Sequence, residues 1–456
     1  MTPLSKIISE AEPRLQKQLE EIKNAASLHL IIIAALQLGR MLMVMLVEEV
    51  LADRAKQKTL WPNCPKCGLR LESKGLIGRQ IESILGTIRW KRRVGRCPKG
   101  CHIGQVVPLD EELAIEANQE TSLELKKAGT ILAVFVPYEI AANLLKQLLG
   151  ISVSSTSIWQ WVQDKGKQAM TQLDKELEQM KKGINPEQEH IDENIAELPI
   201  VIGSDGVMVP FRPNGGDPKG KTSWREIKVG IIARVEKCIN KVGKVVHRLR
   251  QRRLVAVLGS VDDLKPRLEI EAHRQGVKQA KVVVWLSDGA RGLWRVFSES
   301  FINYGIGILD FYHAAQNLWS AASAYLDGRT SQAREWFNSF RHRLRYGDQD
   351  GVLADIASAL QIDGLPKSAR NRLSKLYDYL YKHKEHIQYG RFKELDLPIG
   401  SGLVESACKW LIQQRFKGVG MRWGEDGFNH LLHLRLAWVN GRFDSFFPAH
   451  NASPNL

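Results

Sequence analysis

Cysteine is scarce in this chain: six residues in 456, four of them close together and two isolated. That count excludes a disulfide framework for a chain of this length and fits a reducing cytoplasm. The start lacks a charged segment followed by a short apolar run and a small-residue cleavage site, so no signal peptide is expected. Internal repeats and low-complexity tracts are missing too. Acidic residues are in deficit, with 50 Asp and Glu against 65 Lys and Arg, a formal net charge of +15. A pI of about 9.5 fits a polyanionic partner. Charge alone does not choose between DNA, RNA and an anionic membrane.

What is present suffices for a buried core: 44% of residues are hydrophobic and 25% charged. The length allows about two to four domains. One apolar run, Leu28 to Val47 (LHLIIIAALQLGRMLMVMLV), is nearly long enough to span a bilayer. It contains His29, Gln37 and Arg40 and is followed by Glu48 and Glu49. A charge near the middle of a span is costly, so a buried or dimer-forming helix is the preferred reading over a membrane helix. Basic residues cluster in three runs: Lys91-Arg92-Arg93 to Arg96, Arg248 to Arg253 (RLRQRR) and Arg341 to Arg345 (RHRLR). Each run alone fits a solvated face, but three in one basic chain favour phosphate contact. The DNA-binding candidates among them are Arg248, Arg250, Arg252, Arg253, Arg341, Arg343 and Arg345.

The pattern along the chain divides it. Residues 1–60 read as a helical region ended by Pro62, and 61–109 as a small β-rich module in which short apolar pieces alternate with Gly and Cys pairs. Residues 110–182 are helical again, and 183–197 form a polar linker containing Pro186. From 198 to 310 the pattern is α/β, with strands predicted at Leu198–Ile202, Glu226–Val235, Leu254–Gly259, Lys281–Leu286 and Gly305–Leu309. A helical insertion spans 311–395, a final helix after a Gly-rich turn occupies 396–440, and 441–456 is a tail.

Within the β-rich module, Cys64-x₂-Cys67 and Cys97-x₃-Cys101 are separated by 29 residues. Two close pairs on such a module fit a zinc ribbon, with four thiolates closing a tetrahedral Zn²⁺ site. His102 is a possible substitute ligand, and free thiols are the plainer alternative. Cys238 and Cys408 read as packing residues. Residues 137–165 fit a helix-turn-helix, with Gly150 at the turn and Ser154 to Ser157 capping a second helix that carries Gln160 and Gln163. Gln can read adenine edges in the major groove. A helical hairpin packed on its neighbours fits the same pattern, and Trp159 and Trp161 read as core.

The carboxylates carry the chemistry. Asp205 and Asp288 each follow an apolar strand within the tripeptide Ser-Asp-Gly, and Asp310 follows a third strand. A strand end fixes the backbone while the sheet edge opens to solvent, and small neighbours let a phosphate approach. Ser-Asp-Gly is also ordinary turn chemistry. Glu405 lies in the first turn of the helix after Gly400-Ser401-Gly402, where pairing with the helix dipole is its plainer explanation. Asp262-Asp263 lacks the strand-then-glycine context and reads as a loop pair.

Together Asp205, Asp288 and Glu405 resemble the Asp-Asp-Glu triad of the DDE transposases and retroviral integrases. The segments SDG, SDGARGLW, DFYHA and GSGLVESACKW most resemble bacterial insertion-sequence transposases of the Kra-type branch, over about residues 60–440. The resemblance implies an RNase H-like mixed sheet with flanking helices and a helical insertion, preceded by the zinc ribbon and helix-turn-helix. It implies Mg²⁺ (or Mn²⁺) held by Asp205, Asp288 and Glu405, and a two-metal reaction that cuts beside the element end and joins the freed 3′-OH to target DNA. It also implies transposon-end and target double-stranded DNA as partners, a homodimer or higher homo-oligomer, no membrane, and a bacterial cytoplasm with nucleoid association. Asp310 to His313 is similar to the Asp-x-x-His motif of some eukaryotic relatives. His313 is thus expected near the scissile phosphate or a flipped base, with a structural helix cap as the alternative. Two rivals stand beside this reading: an RNase H-like nuclease without strand transfer, and a non-enzymatic zinc and helix-turn-helix regulator.

Overall fold

Ser27 opens a 29-residue helix, α1 (Leu28–Lys56), its hydroxyl accepting from Leu30 N at 3.3 Å. The structure, a computed structural model, describes residues 15–213, 220–243 and 245–447. They form two compact units that divide between Val162 and Gln163.

In the first unit no residue of α1 is buried, so the expectation of a buried helix is not met. By length and composition α1 is apolar enough to cross a membrane. One side of it is docked: Glu48 accepts from Arg89 N at 2.7 Å, and Arg40 donates to Leu148 O at 3.1 Å. Ile32, Leu36, Met43, Leu46 and Val50 are exposed.

Strands β1 (Glu72–Ser83) and β2 (Gly86–Arg96) form an antiparallel hairpin, longer than the short pieces expected. Alternation along β2 splits the Lys91–Arg96 run. Lys91 faces outward while Arg92 is buried in an ion pair with Asp110, Nε to Oδ2 2.9 Å. After a short helical turn at Pro108–Glu112 come three longer helices: α2 (Leu123–Phe135), α3 (Tyr138–Leu149) and α4 (Ser155–Lys181), which runs across the division between the units. Gly150 closes α3 in the left-handed region at φ 65°, and Ser154 Oγ accepts from Ser157 N at 2.9 Å at the start of α4. Helix, five-residue turn and helix are therefore present at the expected place. Trp161 is core, packed on Gly129, whereas Trp159 is 43% exposed and does not join it.

The second unit is built on a five-stranded sheet in the order β5-β4-β3-β6-β7. Its strands are β3 (Ile200–Phe211), β4 (Ser223–Ile239), β5 (Val245–Leu258), β6 (Val283–Ser287) and β7 (Gly305–Leu309). The first three pair antiparallel, while β6 runs parallel to β3 and β7 parallel to β6. All five residues of β6 are buried, which explains its apolar run Val283 to Leu286 before Ser287. Helix α5 (Val261–Arg274) covers one face, Leu268 lying against Gly230. Asp262 and Asp263 are not a loop pair: they form its first turn, and Asp263 closes a capping box with Ser260.

The insertion comprises α6 (Phe311–Leu326), α7 (Ser331–Arg345), α8 (Gln349–Leu360) and α9 (Lys367–Lys382). Its apolar faces are continuous with the sheet: Leu318, Phe340, Leu353 and Leu376 belong to the same buried cluster as Val284, Trp285 and Leu309. The polar linker is also tied down. Glu189 accepts from Arg253, Arg442 and Gln275, and its own N–H donates to Arg274 O at 2.9 Å.

Candidate active site and thiolate cluster

Two neighbouring strands bring the first two carboxylates together. The last pairs of the β3–β6 ladder are Gly203 with Leu286 and Ser204 with Ser287. Asp205 and Asp288 are the residues that follow on each side, Asp288 just past the end of β6, so the ladder brings them into the same neighbourhood. Asp205 does not end its strand, as its Ser-Asp-Gly context had suggested. β3 continues to Phe211 because β4 goes on pairing with it, and it is β6 that stops. The sheet opens at Asp205 through its neighbour's end.

Helix α10 (Gly402–Ala407) brings the third carboxylate. A methyl group on Gly203 would lie 2.2 Å from Val404 Cγ2, so only glycine lets this helix rest directly on β3 beside Asp205. Glu405 follows Val404 in the same turn, its N–H donating to Ser401 O at 3.1 Å. A π-helical segment, Cys408–Gln413, comes next, and the buried Arg435 donates to Trp410 O and Leu411 O there.

Electrostatics record the convergence. Burial raises the Asp205 carboxyl above its usual range, as do the charges of Asp288 and Glu405; the Gly206 N–H and His313 oppose the rise. Burial and the Asp205 and Glu405 charges push the Cys408 thiol up to about 12. Cys408, which read as simple packing, thus borders the carboxylates. His313 is raised by Asp310 against the effect of burial, with Asp288 and Asp205 adding to the rise. Its Nδ1 lies 3.4 Å from Asp310 Oδ2.

Asp310 itself is not placed as a catalytic group. It is fully buried, Oδ1 capping α6 through the N–H groups of Tyr312 and His313 and Oδ2 accepting from Ser401 N at 2.8 Å. It ties β7 and α6 to the turn before Glu405, a positioning role.

The donor set fits divalent cations. The charges of Asp288 and Glu405 act on the half-buried Asp205, and a hard cation relieves that repulsion; Glu405 itself is exposed. Among the described residues, however, the set of three or more ligand atoms lying within 4.8 Å of one another is Cys64, Cys67, Cys97 and Cys101. The carboxylates are more open.

The thiol cluster is built locally. Gly68 at φ 74° and Gly100 at φ 71° turn the chain under each Cys pair, with Gly68 N donating to Cys64 O and Gly100 N to Cys97 O. Cys67 Sγ and Cys97 Sγ are 3.4 Å apart. The N–H groups of Cys101 and Lys99 outweigh burial and hold the Cys97 thiol down at about 6. Cys101 is pushed up to about 12, first by Cys97 and Cys67. Crowded thiols that cannot all ionise alone suit Zn²⁺, and His102 lies outside the set.

Several basic and amide candidates for DNA contact have partners within the chain. Arg253 pairs with Glu189, Arg250 Nε with Glu236 at 2.8 Å, and Arg343 with Asp348 and Asp355. Gln163 bonds His430 at 2.7 Å. Arg250, Arg253, Arg343 and Gln163, expected to contact DNA, thus each hold a partner within the chain. Arg248, Arg252, Arg345 and Gln160 are exposed, and Arg341 and Arg345 lie 5.8 and 5.7 Å from the Phe311 ring. Sequence reasoning missed Tyr379 of α9, whose ring lies against Gly289. No local signal marks it, since the contact spans the whole insertion.

The chain is thus a mixed α/β protein with two aspartates where the β3–β6 ladder stops, a glutamate on the helix over β3, and a separate four-cysteine cluster. No family profile matches it. It is 24% identical over 374 residues to the "UPF0236 protein in vanSb 3'region" of Streptococcus gallolyticus, covering 81% of this chain and 74% of that protein. Among solved structures, the "Drosophila P element transposase strand transfer complex" aligns with 74% of this chain and 96% of that one, at 10% identity and a TM-score of 0.33. That score is too low to carry an argument about fold or activity.

Proposed function

We propose that this chain is a bacterial transposase of the DDE type, with an RNase H-like core and a structural zinc ribbon. The observation that carries the reading is the register: Asp205 and Asp288 directly follow the last paired residues of adjacent parallel strands, and Val404, the residue before Glu405, lies on Gly203. The Kra-type assignment rests on the sequence motifs.

In this reading Asp205, Asp288 and Glu405 hold Mg²⁺ or Mn²⁺. The bound ions supply activation of the attacking oxygen and charge stabilisation at the phosphorus. The chain's own residues do the rest. His313, raised by Asp310 and acted on by the charges of Asp288 and Asp205, offers a donor to a phosphate oxygen. Asp310 joins α6 to the turn before α10 and so holds His313 and Glu405 in one frame. Arg248, Arg252, Arg341 and Arg345 supply phosphate contacts, and the α3–α4 pair with Gln160 contacts element ends. The protein acts as a homo-oligomer in the cytoplasm on nucleoid DNA.

The test is strand cleavage and joining on DNA carrying the ends that flank the reading frame, with Mg²⁺. Joined products that disappear in Asp205→Asn, Asp288→Asn and Glu405→Gln support the reading. Cleavage without joining favours a nuclease of the same fold. Full activity in all three variants defeats the triad.

A further inference from the structure

The turn that carries Asp288 is held by a side chain from 90 residues further on, Tyr379 of α9. A methyl group on Gly289 would lie 2.1 Å from Tyr379 Cε2, 2.9 Å from Cζ and 3.0 Å from the phenol oxygen. Gly289 is not among the glycines with positive φ, so its backbone conformation does not demand glycine. The space it leaves is filled by the tyrosine ring. Burial, then the charges of Asp288 and Asp310, raise that phenol above its usual value.

Tyr379 is one of several grips between the insertion and the strand ends. His383, one helical turn on, lies 4.7 Å from the Trp294 ring, and Trp294 Nε1 donates to Asp288 O at 2.7 Å. His386 Nδ1 lies 3.0 Å from Gly307 O, and the Tyr389 hydroxyl donates to Leu309 O at 2.9 Å. Of these, Tyr379 alone reaches the residue that follows the carboxylate itself.

We infer that Tyr379 is a positioning residue. Its ring and phenol oxygen, wedged on Gly289, hold the Asp288 turn in the shape that shares a divalent cation with Asp205 and Glu405. The helical insertion thereby sets metal affinity in addition to carrying basic residues. This inference rests on the carboxylate reading above. Groups that orient ligand-bearing residues are typically worth about 10- to 100-fold in metal affinity.

The test is a calorimetric titration of the full chain with Mn²⁺ alone, without DNA, in wild type, Asp288→Asn, Tyr379→Phe and Tyr379→Leu. The expected result is that Asp288→Asn abolishes a binding event seen in wild type and Tyr379→Leu weakens it about ten-fold or more. Tyr379→Phe, which keeps the ring but removes the phenol oxygen packed over Gly289, weakens it several-fold. Cleavage by Tyr379→Phe should then recover at raised Mn²⁺, the metal requirement shifting while the saturated rate holds. If Tyr379→Phe binds Mn²⁺ as wild type does while Asp288→Asn does not, the tyrosine is packing only and the inference falls, whether or not Tyr379→Leu folds. If wild type and Asp288→Asn titrate alike, the carboxylate reading itself fails and takes this inference with it.

Discussion

The thiol cluster and the carboxylate cluster are built in opposite ways. Four cysteines within residues 64–101 meet because two tight turns and one hairpin bring them there. Asp205, Asp288 and Glu405 meet only because a sheet, a helix seated on Gly203 and an insertion core place three distant segments at one edge. The first arrangement is local and its folding rests on its ligands, since the apolar cluster around it is small. The second stands on a large core and tolerates charges that repel each other. A site held by its ligands and a site held by its scaffold should therefore fail differently.

The largest expected effect is on activity. Asp288→Asn or Glu405→Gln should cut Mg²⁺-dependent DNA cleavage by about three orders of magnitude or more while leaving the far-UV circular dichroism unchanged. Asp205→Asn should do the same and also raise the metal-free Tm. The folded Asp205 carboxyl is raised above its usual value of 3.8, so its protonated form is favoured by the fold. That contribution is full below 3.8 and is lost as pH rises through the folded value, leaving a charge that costs stability at neutral pH. An unchanged or lower Tm for Asp205→Asn would count against the crowding of the three carboxylates.

Next comes the thiol site. Stripping metal with a strong chelator, or Cys97→Ser, should unfold the hairpin module, read as loss of amide protection over β1 and β2, and leave protection of β3 and β6 intact. Equal loss in both regions would erase the contrast between them.

A smaller effect is expected at the Glu189 clasp. Glu189 is held at about 2, below its usual 4.5, by Arg253 and Arg442 against the opposing effect of burial. The stability it contributes is present above 4.5 and is lost as pH falls toward about 2. Glu189→Gln should cost about 2–3 kcal/mol at pH 7 in urea unfolding, and the difference should vanish in acid. A cost independent of pH would mean that packing, not charge, holds the linker.

The smallest effect concerns His313. Its folded value is raised by Asp310, so the stability gained is full below 6.5 and is lost as pH climbs through that raised value. The Tm gap between wild type and His313→Gln should therefore narrow as pH rises from 6 to 9. A gap that widens would reverse the assignment of the Asp310 pair.

Much of this was legible in the residues. The β6 strand reads as a buried run of Val, Trp and Leu, and its Ser-Asp-Gly exit is visible because a parallel strand covered on both faces has no polar alternation. The β7 limits also follow from the residues, GIGIL before Asp310. The extent of β3 does not, because its continuation past Asp205 depends on pairing with β4, a partner that a strand's own residues do not name. The capping box at Ser260–Asp263 was hidden because Asp263 was weighed as a carboxylate rather than as a cap. The pairings within the basic runs were hidden for a similar reason. Arg92, Arg253 and Arg343 look free in sequence, and their acidic partners stand 18, 64 and 5 residues away.

The sequence by itself determined the kind of chemistry: which strands are buried, which residues turn, which cysteines are close enough to share a metal and which acids follow strands. These depend on neighbours within a few residues, and local patterning records them. Tertiary structure alone decided which acids meet, that Asp310 is a cap, which arginines are neutralised, and that Tyr379 lies on Gly289. Each of those depends on the distance between segments that only the packed core brings together.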